Sequence, residues 1–160
     1  MNILIIGSGG REHAIAMALS KSPNNNRLFA LPGNPGIREY CECIDIDVSN
    51  FREIKNFSKN NNIDLVIVGP EVPICEGISD YLKGDKIDVF APSQEASKLE
   101  SSKKFTKEIA FENNIPTGKA KWFNNQTEAS VYLEKLEAPY VIKADGLAAG
   151  KGVAICENIK

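Results

Sequence analysis

Short apolar runs and helical stripes alternate along the first ninety or so residues. Residues 2–6 (NILII), 63–68 (IDLVIV) and 88–91 (DVFA) are apolar runs typical of strands buried on both faces. Residues 27–31 and 44–48 are predicted to form two further strands. Because predicted helices separate these strands, the pattern indicates an α/β fold whose open parallel sheet has right-handed crossovers.

Three segments in this region are predicted to be helices. Residues 11–21 carry apolar positions at helical spacing and end before Pro23. Asn50 is a favourable N-cap for a helix through about residue 59, and residues 74–82 form the third helix. The stripe predicted to face the core in the first helix consists of Ala14, Ile15, Ala18 and Leu19.

The pattern changes after Pro92, and we predict a domain boundary between about residues 92 and 118. Ser93 is expected to cap a helix to about residue 99, and a second helix runs from residue 101 to residue 112. Further on, the sequence predicts a short strand at 122–123, a helix at 127–136, and strands at 139–143 and 152–156. The predicted organisation is an N-terminal domain (1–100), a linking helix and loop (101–118) and the truncated start of an α+β domain (119–160).

Composition narrows the function classes. The chain has 160 residues, 42% hydrophobic residues and a formal net charge of −2. This balance favours a globular protein and gives no reason to expect a nucleic-acid or membrane partner. Four cysteines without a C-x-x-C pair, and one distant histidine, argue against a zinc site, so we expect free thiols and a cytoplasmic location.

The first strand is followed by a glycine-rich turn at residues 7–13 (GSGGREH). A turn of this kind, between a buried strand and a helix, directs backbone N–H groups at an anion. A nicotinamide or flavin enzyme is disfavoured because Glu12 replaces the third glycine of G-x-G-x-x-G, and because residues 31–36 provide no acid for ribose. A phosphate on a smaller ligand and a turn without any ligand both stay open.

Two more loops are predicted to lie at the same edge of the sheet. Residues 32–36 (PGNPG) and 69–73 (GPEVP) follow two of the strands, and ligands of open parallel sheets bind at the carboxyl ends of strands. Asn34 can donate to a sugar or phosphate, and Glu71 can accept from a ribose diol or an amine. Ordinary turn chemistry uses the same residue types, so neither loop is diagnostic alone.

The end of the chain has a second pattern suited to phosphates. Residues 141–153 (VIKADGLAAGKGV) join two apolar runs through a loop rich in glycine. Lys143 and Lys151 supply positive charge, and glycines let the backbone approach a ligand closely. Lys103, at the start of a helix, is either a solvated charge or directed at a ligand. His13 is predicted to be structural or to line a pocket, and the sequence shows neither a nucleophile–base pair nor a metal cluster.

Together these motifs resemble the glycinamide ribonucleotide synthetase (phosphoribosylamine–glycine ligase) family of the ATP-grasp superfamily. The resemblance covers the whole chain, with Ser8 and Ser101 at positions where the family often has asparagine and glycine. The five segments that carry it are GSGGREHA (7–14), PGNPG (32–36), VGPEVP (68–73), SKKFTK (102–107) and KADGLAAGKGV (143–153).

The resemblance implies that residues 1–100 form a Rossmann-like, substrate-binding domain that precedes an ATP-grasp domain, and that residues 119–160 are the start of its lid subdomain. The protein would be an ATP-dependent carbon–nitrogen ligase of purine biosynthesis. Its small-molecule substrates would be 5-phosphoribosylamine, glycine and ATP, with Mg²⁺ or Mn²⁺ as the metal, and the reaction would proceed through glycyl phosphate. The catalytic groups, the metal carboxylates and the glycine site belong to the family's later part, beyond residue 160. This chain alone is therefore not expected to complete the reaction, and no metal ligand is predicted within it.

Carried over by motif, the site residues fall into two groups. The resemblance places the sugar phosphate and its ribose or amine at Gly7, Gly9, Gly10, Asn34, Glu71 and Pro73. It places the nucleotide at Lys103, Lys143, Asp145, Gly146, Gly150, Lys151 and Gly152. The alternatives are another ATP-grasp ligase of purine or carboxylation chemistry, and a nucleotide-binding fragment without catalysis.

Overall fold

A computed structural model describes residues 1–24, 27–84 and 86–159. The chain divides into two compact units, Met1–Ser97 and Lys98–Lys160. The first unit contains a five-stranded parallel sheet with helices packed on it, so the predicted α/β class is confirmed. No helix within the described residues is long and apolar enough to cross a bilayer.

The first unit has strand order β3-β2-β1-β4-β5. Its strands are β1 (Asn2–Gly7), β2 (Arg27–Pro32), β3 (Glu42–Cys43), β4 (Leu65–Val68) and β5 (Asp88–Phe90). Its helices are α1 (Gly10–Ser20), α2 (Phe51–Asn60), α3 (Glu71–Cys75) and α4 (Ile78–Leu82), and α5 (Gln94–Ser101) extends into the second unit.

Strand β1 lies at the centre of the sheet because it is apolar on both faces. Ile3 and Ile5 pack in one core cluster with Ala16 of α1, whereas Leu4 and Ile6 pack in the other, which contains residues of α2 and α4. Each of these four strand residues is at most 2% exposed. Burial of one such side chain contributes about 1.5–3 kcal/mol, so the alternating faces of β1 anchor both layers of helices.

The phase of α1 differs from the prediction. Ile15 and Leu19 pack against the core as expected, but Ala14 and Ala18 are exposed, while Ala16 and Glu12 are buried. Positions 12, 15, 16 and 19 form one helical face, and the buried carboxylate of Glu12 lies on it. Alanine tolerates exposure at little cost, so the alanines did not decide which face turns inward.

The predicted third strand at 44–48 is wrong in position. The strand β3 is confined to Glu42–Cys43, and the chain then turns, with the Ile46 N–H donating to the Ile44 carbonyl at 2.9 Å. Ile44, Ile46 and Val48 still pack against the core. The alternating pattern therefore reported burial correctly, but the local turn prevented further strand pairing.

The helix predicted at 74–82 consists of two short helices, α3 and α4. Gly77 separates them with φ at 91°, a left-handed conformation that ends α3 and that glycine adopts without a Cβ penalty. The α3 helix also begins three residues earlier than predicted, at Glu71.

The second unit contains α6 (Lys103–Glu112), α7 (Gln126–Leu133) and an antiparallel pair of strands, β6 (Tyr140–Lys143) and β7 (Val153–Cys156). The predicted strand at 122–123 is absent from this described region. Trp122 and Phe123 instead contact side chains, with Lys104 Nζ 5.6 Å from the Trp122 ring and the Phe123 and Tyr132 rings 5.3 Å apart. The α7 helix also ends three residues before the predicted residue 136.

Candidate functional site

Three loops meet at the carboxyl edge of the parallel sheet, as the sequence predicted. Gly7 at the end of β1 is in register with Pro32 at the end of β2, and the Gly33 N–H donates to the Gly7 carbonyl at 3.2 Å. On the other side of β1, the Gly69 N–H donates to the Ile6 carbonyl at 3.0 Å. The turns after β1, β2 and β4 are therefore neighbours on one edge.

This edge coincides with the point where the strand order reverses. From β1 the chain proceeds to β2 and β3 on one side, then crosses to β4 and β5 on the other. Loops after β1 and β4 diverge at such a switch point, where open α/β sheets bind their ligands. The ligand prediction for the turn at residues 7–10 thus gains support from topology, which the sequence pattern could not supply.

Glu12 joins the turns after β1 and β4 from the inside. Glu12 is 5% exposed, and its Oε2 accepts from the Gly9 N–H at 2.6 Å, so its side chain caps the start of α1. Added Cβ atoms at Gly7 and Gly9 would lie 2.8 Å from the carboxylate, and one at Gly69 would overlap it. Three glycines are therefore required by one carboxylate rather than by a ligand alone.

Arg11 joins the same two loops from the solvent side. Its guanidinium donates to the Gly69 carbonyl and, at 3.0 Å, to Glu71 Oε1. Both side chains are about half exposed, at 61% and 49%. The pKa of the Glu71 carboxyl is lowered, first by its own backbone N–H and next by the hydrogen bond from Arg11, so Glu71 is ionised at neutral pH.

Asn34 connects the β2 loop to the glycine turn. Its side-chain amide donates to the Ser8 carbonyl at 2.8 Å, while its Oδ1 accepts from the Ile37 N–H at 2.9 Å. These bonds occupy one amide hydrogen and one lone pair, which leaves a second hydrogen directed elsewhere. Asn34 is therefore first a structural bridge between two loops of the edge.

Two other predicted residues have packing roles. The His13 ring lies against Gly36, where an added Cβ would be 2.6 Å from the ring, and 5.8 Å from the Tyr40 ring centroid. This agrees with a structural His13. Pro73 is among the fully buried residues, so it supports α3 from within and offers no surface to a ligand.

Gly10 is the most open position of the glycine turn. Both Gly9 and Gly10 are exposed, but the Gly9 N–H is committed to Glu12, whereas an added Cβ at Gly10 would meet nothing within 4 Å. The first helical bond is formed by the His13 N–H to the Gly9 carbonyl, which leaves the N–H groups of Gly10 and Arg11 at the helix start. These groups are the candidates for binding an anion.

The second unit presents its lysines on the β6–β7 hairpin. Lys143 is the last residue of β6, in register with Val153, and Lys151 lies in the connecting loop. The Ala144 N–H donates to the Gly152 carbonyl at 2.8 Å and closes the base of the loop. Gly146 and Gly150 have positive φ, at 97° and 77°, so glycine is needed to shape this loop.

Within the hairpin, Asp145 is directed at α6 of the same unit. Its carboxylate accepts from the Lys103 N–H at 2.6 Å and from Ser102 Oγ at 3.0 Å. Partial burial acts to raise the pKa of Asp145, but hydrogen bonds from Lys104, Ser102, Lys103 and Gly146 outweigh it, so the pKa is lowered. The predicted nucleotide contact of Asp145 thus competes with an existing set of partners.

Sequence reasoning missed Arg11 and Glu12 as residues that organise the edge. A signal for Glu12 was present, because a glutamate at the third position of a helix can accept from the N–H of the N-cap residue. No three His, Cys, Asp or Glu side chains cluster as metal ligands in the described part of the chain, and its four cysteines are free.

An open parallel sheet, followed in sequence by a lysine-bearing glycine hairpin, agrees with the class of ATP-grasp proteins. Profiles for the N domain and the ATP-grasp (A) domain of phosphoribosylglycinamide synthetase match residues 1–100 and 101–160, respectively. The chain belongs to the phosphoribosylglycinamide synthetase family.

Relatives agree with this assignment. The phosphoribosylamine–glycine ligase of Mesorhizobium japonicum is 48% identical over 155 residues, which are 97% of this chain and 36% of that protein. The crystal structure of phosphoribosylamine–glycine ligase from Thermotoga maritima is 28% identical, with a TM-score of 0.76, and the match covers 99% of this chain and 36% of that one. The chain thus spans little more than a third of these relatives.

The fold is shared more widely. The biotin carboxylase domain of the 2-oxoglutarate carboxylase from Hydrogenobacter thermophilus, solved with MgADP, ADP and bicarbonate, matches with a TM-score of 0.75 at 17% identity. That match covers 98% of this chain and 37% of the other. At this identity the likeness concerns the fold alone.

Proposed function

We propose that this chain provides the sugar-phosphate edge and the nucleotide lid of a phosphoribosylamine–glycine ligase. The reaction joins glycine to 5-phosphoribosylamine and yields glycinamide ribonucleotide, ADP and phosphate in purine biosynthesis. The observation that carries the proposal is the meeting of three loops at the switch point of the sheet, with Glu71 ionised and hydrogen-bonded to the side chain of Arg11 in the first turn of α1.

The edge combines groups suited to a phosphorylated aminosugar. The N–H groups of Gly10 and Arg11 are assigned to the phosphate, and the small residues Gly7 and Gly9 let Glu12 hold this turn in shape. Glu71 accepts from the ribose hydroxyls or the amine. Asn34 lines the same edge through its remaining amide hydrogen.

The nucleotide is assigned to the second unit. Lys103 and Lys143 neutralise its phosphates, and the loop at 146–152 covers them, with Lys151 as a further positive charge. Mg²⁺, or Mn²⁺ in its place, accompanies ATP, in line with the MgADP bound by the H. thermophilus relative. The metal carboxylates, the catalytic groups and the glycine site are assigned to the family's later part.

The chemistry of the reaction explains why it needs ATP as well as phosphoribosylamine. A carboxylate is a poor electrophile, so the γ-phosphoryl group is first transferred to glycine and forms glycyl phosphate. The ribosylamine nitrogen then attacks the acyl carbon, and phosphate leaves. Positioning and neutralisation of charge contribute most to phosphoryl transfer, which suits loops, lysines and backbone N–H groups. All reactants are small molecules, and we expect the enzyme to act in the cytoplasm.

The test is phosphate release from ATP by the complete natural protein, with glycine and phosphoribosylamine as substrates. Turnover is expected only when both are present. Omission of each substrate in turn is the control. The alternative, another ATP-grasp ligase of carboxyaminoimidazole or bicarbonate chemistry, is tested by supplying the acceptors of those reactions in place of glycine and phosphoribosylamine. Turnover with a different acceptor alone would refute the glycine assignment, whereas ATP binding without turnover would favour a non-catalytic role.

A further inference from the structure

Asp145 directly precedes the loop at residues 146–152, which we call the lid loop. Its carboxylate is hydrogen-bonded to the first turn of α6. Oδ1 accepts from the N–H groups of Lys103 and Lys104 at 2.6 and 3.3 Å, and Oδ2 accepts from Ser102 Oγ at 3.0 Å. Asp145 is 41 to 43 residues away from these partners in sequence. The contact therefore joins two separate elements of the second unit.

This carboxylate completes the cap of α6. Ser102, the N-cap residue, accepts from the Phe105 N–H at 3.1 Å, and the Thr106 N–H makes the first helical bond to the Ser102 carbonyl. Without Asp145, the backbone N–H groups of Lys103 and Lys104 would have no acceptor within the helix. The Asp145 carboxylate accepts a hydrogen bond from each of them. The positive end of the helix thus has a fixed counter-charge supplied by the lid loop.

A second bond runs in the opposite direction. Lys103 Nζ donates to the carbonyl of Gly146, the first residue of the lid loop, at 2.9 Å. Gly146 has φ at 97°, so the chain changes direction directly after Asp145. Residues 145 and 146 are therefore attached to Lys103 by both its backbone and its side chain.

We propose that Asp145 is a positioning residue that forms the pivot of the lid loop on α6, and that the Lys103–Gly146 bond is an exchangeable latch. This role rests on the proposed function, because it assigns the nucleotide phosphates as the ligand that takes over the Lys103 ammonium. With phosphate bound, Nζ leaves the Gly146 carbonyl, while the carboxylate bonds of Asp145 persist. Asp145 then aligns the lysine and the lid without touching the nucleotide.

The contacts of the Asp145 carboxylate and of the Lys103 ammonium differ as a fixed pivot and an exchangeable latch should. From the first turn of α6 and its N-cap the carboxylate has three donors, two of them rigid backbone groups, so a side-chain rotation cannot replace it. The ammonium has one acceptor here and a long flexible stem, so it can exchange a neutral carbonyl for a charged phosphate oxygen. The pivot is thus fixed and the latch is replaceable.

The test is amide hydrogen exchange of the complete natural protein, without nucleotide and with a non-hydrolysable ATP analogue. Asp145→Ala is expected to speed exchange at the Lys103 and Lys104 amides roughly tenfold without nucleotide, because a helix cap is lost. Asp145→Asn keeps an acceptor and is expected to restore part of the protection. Glu137→Gln, an exposed carboxylate change in the same unit, is the control and should change nothing.

Lys103→Met tests the latch separately. It is expected to speed exchange in residues 146–152 without nucleotide, while the analogue protects that loop in the natural protein. Unchanged exchange at Lys103 and Lys104 in Asp145→Ala would overturn the pivot, and loss of analogue binding alone would make Asp145 a nucleotide contact. Because exchange without nucleotide does not depend on the reaction, failure of the pivot and failure of the proposed ligase activity are distinguishable.

Discussion

The position of the buried Glu12 side chain predicts how a substitution at Gly69 affects the stability of the first unit. A methyl group at Gly69 would overlap the Glu12 carboxyl oxygen and lie 2.5 Å from its Cδ. Gly69 does not have a left-handed φ, so Gly69→Ala introduces no backbone strain and only the clash remains. We therefore expect Gly69→Ala to destabilise the first unit in the natural background and to be tolerated when Glu12 is shortened to alanine.

The magnitudes follow from general values. Overpacking of this kind typically costs about 1–3 kcal/mol. Glu12→Ala removes the acceptor of the Gly9 N–H, bonded at 2.6 Å, and an unmade bond of this kind costs about 1–3 kcal/mol. In the double variant the methyl group occupies the vacated space, so only the second cost applies. The expected coupling between the two changes is about 2 kcal/mol.

The assay is exchange of the most protected β1 amides, which report opening of the first unit by itself. Gly10→Ala provides the matched control, because its added Cβ meets no neighbour and it should show no coupling to Glu12→Ala. If Gly69→Ala costs the same with and without Glu12, the carboxylate does not fill the space between the two turns, and the account of this edge is wrong.

The other predictions concern ligands and pH. Lys143→Ala is expected to raise the apparent KM for ATP or abolish turnover without unfolding the protein, as checked by steady-state kinetics and circular dichroism; unchanged kinetics would make Lys143 a surface charge only. Glu71→Gln is expected to weaken phosphoribosylamine binding in calorimetry, and equal affinity would remove Glu71 from the site. Because the folded-state pKa of Glu71 is lowered, first by its own backbone N–H and next by Arg11, the stability from these hydrogen bonds is present above the ordinary value of 4.5 and is lost as pH falls through the lowered pKa; a side-chain carboxyl titration by NMR that shows a raised pKa would contradict these bonds.

Much of the fold follows from local pattern. The run of residues 3–6 is apolar at every position, so it had to be buried on both faces, and this made β1 the central strand. The glycine-rich motifs after β1, β2 and β4 then located the edge of the sheet. Asn50 and Ser102 acted as N-caps because their side chains accept from backbone N–H groups three residues on, a purely local interaction.

Only the tertiary structure shows which groups of those motifs are hydrogen-bonded to distant parts of the chain. The turn at residues 7–10 alone cannot show that its Gly9 N–H is taken by Glu12, because the burial of Glu12 depends on Gly69, 57 positions later in the chain. In the same way, the motif at 143–153 identifies Asp145 but not its partners on α6, since hydrogen bonds between distant segments leave no periodic signal in sequence. Sequence thus indicated which segments are suited to anions, and packing determined which of their backbone and side-chain groups are already hydrogen-bonded within the protein.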